Sequence, residues 1–85
     1  MPSQEKLLNQ VLRGTSDANI AFTDLCQLLK SLGFDERIRG SHHIFTQTGI
    51  GEIINLQPMN NEAKPYQVKQ VRNLIVRYKL GDTND

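Results

Sequence analysis

The 85-residue chain has no tryptophan, a single cysteine (Cys26), three prolines and two histidines, which stand side by side. One cysteine cannot build an intramolecular disulfide framework, and it cannot alone supply a cysteine-based zinc site. No apolar run approaches the ~20 residues needed to span a bilayer. The residues after Met1, Pro-Ser-Gln-Glu-Lys, do not resemble a signal peptide. The expectation is a cytoplasmic protein without membrane association. The chain contains no internal repeat and no low-complexity tract. It also lacks a cluster of carboxylates suited to Mg²⁺.

What is present is the composition of an ordinary folded domain, with 38% apolar and 22% charged residues. A chain of this length buries only about 60–65% of its unfolded surface, so one modest core is expected. Net charge is +1, but it is unevenly spread. From Arg37 to Lys79 there are seven basic and two acidic residues, and the remainder holds three basic and seven acidic ones. The positive stretch surrounds the histidine pair, where a polyanion could be held.

The pattern predicts six elements. Ser3 can cap a first helix carrying Leu7, Leu8, Val11 and Leu12, with Gly14 as its stop. Residues 14–17 read as a loop, and Ile20-Ala21-Phe22 as a short extended lead-in. In the second helix, Thr23 is placed to cap and Asp24 suits the positive end of the dipole. Leu25, Leu28, Leu29 and Leu32 recur at i, i+3, i+4, i+7 as one apolar stripe. Gly33 supplies a left-handed stop, after which Phe34 can fold back. Three strands follow, over 34–39, 42–47 and 52–57, with a turn at 48–51 and Pro58 as terminator. A polar loop over 59–64 leads to Pro65 at the first position of a last helix. That helix buries Val68, Val71, Leu74, Ile75 and Tyr78, with Lys69, Arg72 and Lys79 on a flank. Residues 81–85 read as an acidic tail. The predicted class is α+β: a three-stranded antiparallel sheet with helices on one face.

The segment Gly40-Ser41-His42-His43 is the candidate reactive site. Gly40 can adopt backbone angles closed to other residues, and Ser41 can hydrogen-bond a phosphate. Consecutive strand residues point to opposite faces, so the two histidines cannot share one role. Whichever points outward meets a surface flanked by Arg37 and Arg39. RNA suits such a site. Internal transesterification needs the 2′-hydroxyl deprotonated, the leaving 5′-oxygen protonated and the phosphorane charge offset. An imidazole can act as base or acid at neutral pH, and cationic side chains can offset the charge. The chemistry requires no metal or other cofactor. A metal site built from His42, His43 and Cys26 is not expected, because the adjacent strand histidines diverge. Against this chemistry stands the commoner lot of a histidine on a small sheet, a packing or surface role. The flank of Lys69, Arg72 and Lys79 reads first as a solvated helix face.

The run from Leu25 through Leu32-Gly33-Phe34, followed by Arg39-Gly40-Ser41-His42-His43-Ile44-Phe45, resembles HicA-type toxins of bacterial toxin–antitoxin systems. Ile54-Asn55-Leu56-Gln57-Pro58 and Lys64-Pro65-Tyr66-Gln67-Val68-Lys69-Gln70-Val71-Arg72 look like that family's third strand and last helix. The resemblance spans about 20–80. It implies an α-β-β-β-α core like a double-stranded-RNA-binding domain, with 1–19 as an N-terminal helical extension and 81–85 as a tail. It implies an endoribonuclease that cleaves mRNA until a HicB-type antitoxin covers the site. The family's catalytic histidine is the first after Gly-Ser, which here is His42, and Gly40 matches the motif glycine. Arg37, Arg39, Gly40, Ser41, Lys64, Lys69 and Arg72 are then the expected RNA contacts, with no metal. Many members carry Pro-His-Pro after the third strand, where this chain has Gln57-Pro58-Met59. The competing expectations are an RNA-binding module without catalysis and a domain that binds only an acidic protein partner.

Overall fold

A computed structural model describes residues 4–14 and 17–81. Ser3, Thr15, Ser16 and the tail beyond Gly81, to which parts of the reading above refer, lie outside the described residues. The order is α1 (Gln4–Arg13), α2 (Phe22–Ser31), β1 (Asp35–Arg39), β2 (His42–Gln47), β3 (Ile50–Leu56) and α3 (Pro65–Tyr78). The three strands form one antiparallel sheet in the order β1-β2-β3. The expected α+β class and element order hold, with α1 preceding an α-β-β-β-α core. Among the described residues, no helix is long and apolar enough to cross a membrane.

Local chemistry accounts for most boundaries. After α2, Gly33 takes φ 103°. The Gly33 N–H then reaches Lys30 O at 3.0 Å and the Phe34 N–H reaches Leu29 O at 3.1 Å. These are the two bonds that close a helix on a left-handed residue, and they fold Phe34 into the core. Pro65 opens α3 as expected. Between them, Asn60 and Asn61 both have positive φ. They make a tight turn in which Met59 and Glu62 exchange two backbone hydrogen bonds of 2.9 Å, and asparagine tolerates that conformation best after glycine.

Two boundaries and one irregularity within the sheet differ from the sequence reading. α2 starts at Phe22, flanked by Ala21, and makes no side-chain cap; Thr23 lies inside it. The Phe22 N–H donates instead to Asn61 O at 3.0 Å, and Ile20 O accepts from the Ala63 N–H at 2.8 Å. A long-range backbone bridge thus satisfies a donor that a local cap would otherwise serve. The third strand begins at Ile50, two residues early, because the turn closes tightly around Thr48-Gly49 with Gln47 opposite Ile50. Between that pair and Phe45 opposite Ile54, β3 spends more residues than β2, which is a bulge.

The core lies between one face of the sheet and the helices. Phe45, Ile54 and Leu56 meet Phe22, Leu25, Leu28 and Leu29 of α2 and Val68, Val71, Leu74 and Ile75 of α3. α1 adds Leu7 and Val11, both buried. The other face of the sheet is uncovered: Arg37, Arg39, His42, Thr46, Ile53 and Asn55 are exposed.

Candidate active site on the open sheet face

Gly40 and Ser41 form the two-residue turn joining β1 to β2, closed by Arg39 opposite His42. Gly40 has φ 60° and Ser41 has no positive φ. A positive φ at the first central position alone defines a type II′ turn, whose twist matches that of paired strands and which takes glycine there. The space around Gly40 is open, with nothing within 4 Å of where a Cβ would stand. The glycine is therefore required by the hairpin, and it leaves the backbone approachable.

Directly opposed residues in an antiparallel pair share a face, and alternate residues do so along a strand. His42 therefore shares its face with Arg39, its cross-strand partner, and with Arg37, two residues from Arg39. Asn55 of β3, opposite Ile44, lies on the same face. The His42 Nδ1 is 3.1 Å from the Asn55 side-chain oxygen. An amide oxygen only accepts, so Nδ1 is the donor in this contact, and in a neutral ring the lone pair then sits on Nε2. The turn is tethered as well. The Gln57 amide donates to Ser41 Oγ at 2.9 Å. With its amide turned so that both groups are satisfied, the buried Gln67 donates to the Gln57 carbonyl at 3.2 Å and accepts from the Gln57 N–H at 3.0 Å. A continuous path thus runs from the first turn of α3, through the end of β3, to the residue before His42.

His43 has the opposite surroundings. It faces the helices, half-buried, with its ring edge-on to Phe22 at 4.8 Å between centroids. Its Nδ1 lies 2.6 Å from Glu36 Oε2, and Lys30 holds Oε1 of the same carboxylate at 2.8 Å. Burial works against the Glu36 charge, but the hydrogen bonds and charges of His43 and Lys30 outweigh it and hold the carboxyl below its ordinary pKa. Sequence alone left the two histidines equivalent; their faces separate them.

The hairpin brings Arg37, Arg39, Gly40, Ser41 and His42 together. Lys64 flanks the start of α3, its amine 6.0 Å from the Tyr66 ring, and Lys69 is exposed on α3. Arg72, expected at an RNA surface, is used elsewhere. Its Nη1 donates to Asp17 at 2.8 Å and to the Val11 carbonyl at 3.3 Å, fastening α1 to α3. The group is mostly buried, with 17% of the side chain exposed. Asn55 and Gln57 were not singled out from sequence. Asn55 lies in β3 and Gln57 just past its end, and only the strand register brings them to the hairpin.

Fold and site together define a small α+β domain with an α-β-β-β-α core, one covered and one bare, cationic sheet face, and a tethered imidazole beside the first hairpin turn. Residues 22–79 match the family described as the HicA toxin of bacterial toxin-antitoxin systems. The chain belongs to that family, and so is a toxin of a toxin–antitoxin pair with an antitoxin as its partner. No curated protein and no solved structure matches it. α1 lies outside the matched residues.

Proposed function

We propose that this toxin is a metal-independent endoribonuclease that cleaves mRNA in the cytoplasm, with His42 as its general base, and that a HicB-type antitoxin neutralises it by covering the open face. The observation that carries the reading is the Asn55 contact on His42 Nδ1, which leaves a basic Nε2 on a face shared with Arg37 and Arg39. Nε2 takes the proton of a ribose 2′-hydroxyl as that oxygen attacks the adjacent phosphorus. The bond to the 5′-oxygen breaks, and that oxygen takes a proton from water. The products are a 2′,3′-cyclic phosphate and a free 5′-hydroxyl. Arg37 and Arg39 offset the phosphorane charge, and Ser41 and the Gly40 backbone seat the phosphate. Lys64 and Lys69 extend the track for the strand, and Arg72, engaged with Asp17, is left out of it. Residues 20–80 form the acting domain in this reading, with 1–19 as its extension.

The test is incubation of wild type, His42→Ala and Asn55→Ala with one RNA, with and without chelator. His42→Ala is expected to lower cleavage by about 10²–10⁴-fold, the usual worth of a general base. Asn55→Ala is expected to lower kcat by about tenfold with little change in KM, as for a partner that orients an imidazole. Cleavage by the His42 variant at the wild-type rate would overturn the assignment.

One observation favours a second reading, an RNA-binding module without catalysis. The chain has only two histidines, and His43 faces away, so the open face has no second imidazole to protonate the leaving group. Such a module would leave RNA intact after long incubation, and its affinity would fall steeply with salt.

A further inference from the structure

On the helix side of the sheet, α2 lies against the free edge of the hairpin, and three metal-binding side chains converge there. Cys26 comes from α2, Glu36 from β1 and His43 from β2. One donor atom from each lies within 4.8 Å of the others. They line an opening of about 190 Å³ together with Phe22 and Ile38. The reading of His42 uses none of them. A nucleophilic role for the thiol does not fit: it is only 5% exposed, and burial, followed by the nearby Glu36 charge, pushes its pKa up to about 12. Reactive cysteines need the reverse, an exposed and electropositive setting.

We propose that Cys26, Glu36 and His43 form a binding site for a thiophilic divalent cation of the zinc type, with the fourth coordination position open to the cavity. The donor set argues for that class. Sulfur, imidazole nitrogen and one carboxylate oxygen suit zinc and its neighbours, whereas Mg²⁺ and Ca²⁺ take oxygen. Zinc bonds of about 2.0–2.3 Å place tetrahedral donors roughly 3.3–3.8 Å apart. The three groups need to move by about 1 Å or less, with His43 and Glu36 parting from their 2.6 Å contact. Lys30 holds Glu36 Oε1 and leaves Oε2 facing the cluster, so the carboxylate is already oriented by an outer partner. Thiolate and carboxylate together balance a dication. The bound ion would pin α2 to both strands of the hairpin whose far face carries His42.

The experiment is titration of the full, tag-free chain with Zn²⁺ and, separately, Co²⁺. One ion per chain is expected, with a thiolate-to-cobalt charge-transfer band, the intense visible bands of a four-coordinate site, and a Tm that rises with zinc concentration. Cys26→Ser erases the charge-transfer band, and His43→Gln keeps it; each weakens zinc binding about tenfold or more. His42→Ala binds zinc as wild type does. No saturable binding by the folded wild type overturns the proposal. So does a cobalt spectrum without the thiolate band, or zinc affinity that follows His42 instead of Cys26. Because the cobalt spectrum is read on the wild type, the proposal stays falsifiable even if Cys26→Ser fails to fold.

Discussion

The two faces of the sheet divide the work of the molecule between neighbouring residues. On the helix side, Phe45, Ile54 and Leu56 are fully buried and His43 is pinned between Phe22 and Glu36. On the far side, His42 stands in the open with two arginines and an asparagine. Peptide geometry makes the switch: one step along a strand turns a side chain through about 180°. The same residue type becomes a packed partner of an ion pair at one position and a solvent-facing imidazole at the next. Stability is built on one face, and the other is free to carry costly features such as clustered like charges.

Five substitutions break or sharpen this division. The largest effect is expected on the covered face. Phe45→Ala should cost about 3–5 kcal/mol of unfolding free energy, as large-to-small changes in a core do, while Thr46→Ala beside it stays within about 0.5 kcal/mol. Urea denaturation of the pair measures the contrast directly. Next comes His42→Ala, whose loss of RNA cleavage should be accompanied by a nearly unchanged Tm, since the ring is exposed. A large fall in Tm would mean that the open face is also structural. Arg39→Ala should weaken RNA binding by roughly tenfold and lower the slope of log K against log salt by about one, and binding isotherms at several salt concentrations test this. The smallest effect is a pH dependence on the covered face. The pKa of Glu36 is lower in the folded chain than in the unfolded one, so the folded state binds fewer protons. Its contribution is present above the ordinary glutamate value near 4.3 and is lost as pH falls through the lower folded value. Glu36→Gln should flatten the acid limb of the Tm-versus-pH curve.

How much of this was legible in the sequence follows from the range of the forces involved. β2 was read with its observed bounds, since a run of β-formers bounded by Gly-Ser and Thr-Gly is a local signal. The Gly33 stop and the Pro65 start were read for the same reason. The start of α2 was not, because its first donor is satisfied by Asn61, thirty-nine positions away. Nor was the meeting of Cys26, Glu36 and His43, which requires packing α2 on a particular strand register. Asn55 escaped for a related cause: its role depends on which residue of β2 it faces. Arg72 looked like part of a cationic flank, and only the docking of α1 showed that its charge is consumed internally.

That last arrangement has a bearing on how the molecule could be cut. The Arg72 guanidinium is a rivet, holding the ten-residue α1 by its Val11 carbonyl and gripping the Asp17 carboxylate beyond the helix end. A version shortened to begin near residue 20 would lose both anchors together with Leu7 and Val11. It would uncover apolar ground between α2 and α3 and release one more cation to the solvent. Such a fragment would cling to nucleic acids indiscriminately and clump more readily. Behaviour of that kind in a trimmed protein would reflect a lost fastening and say little about the chemistry at the hairpin.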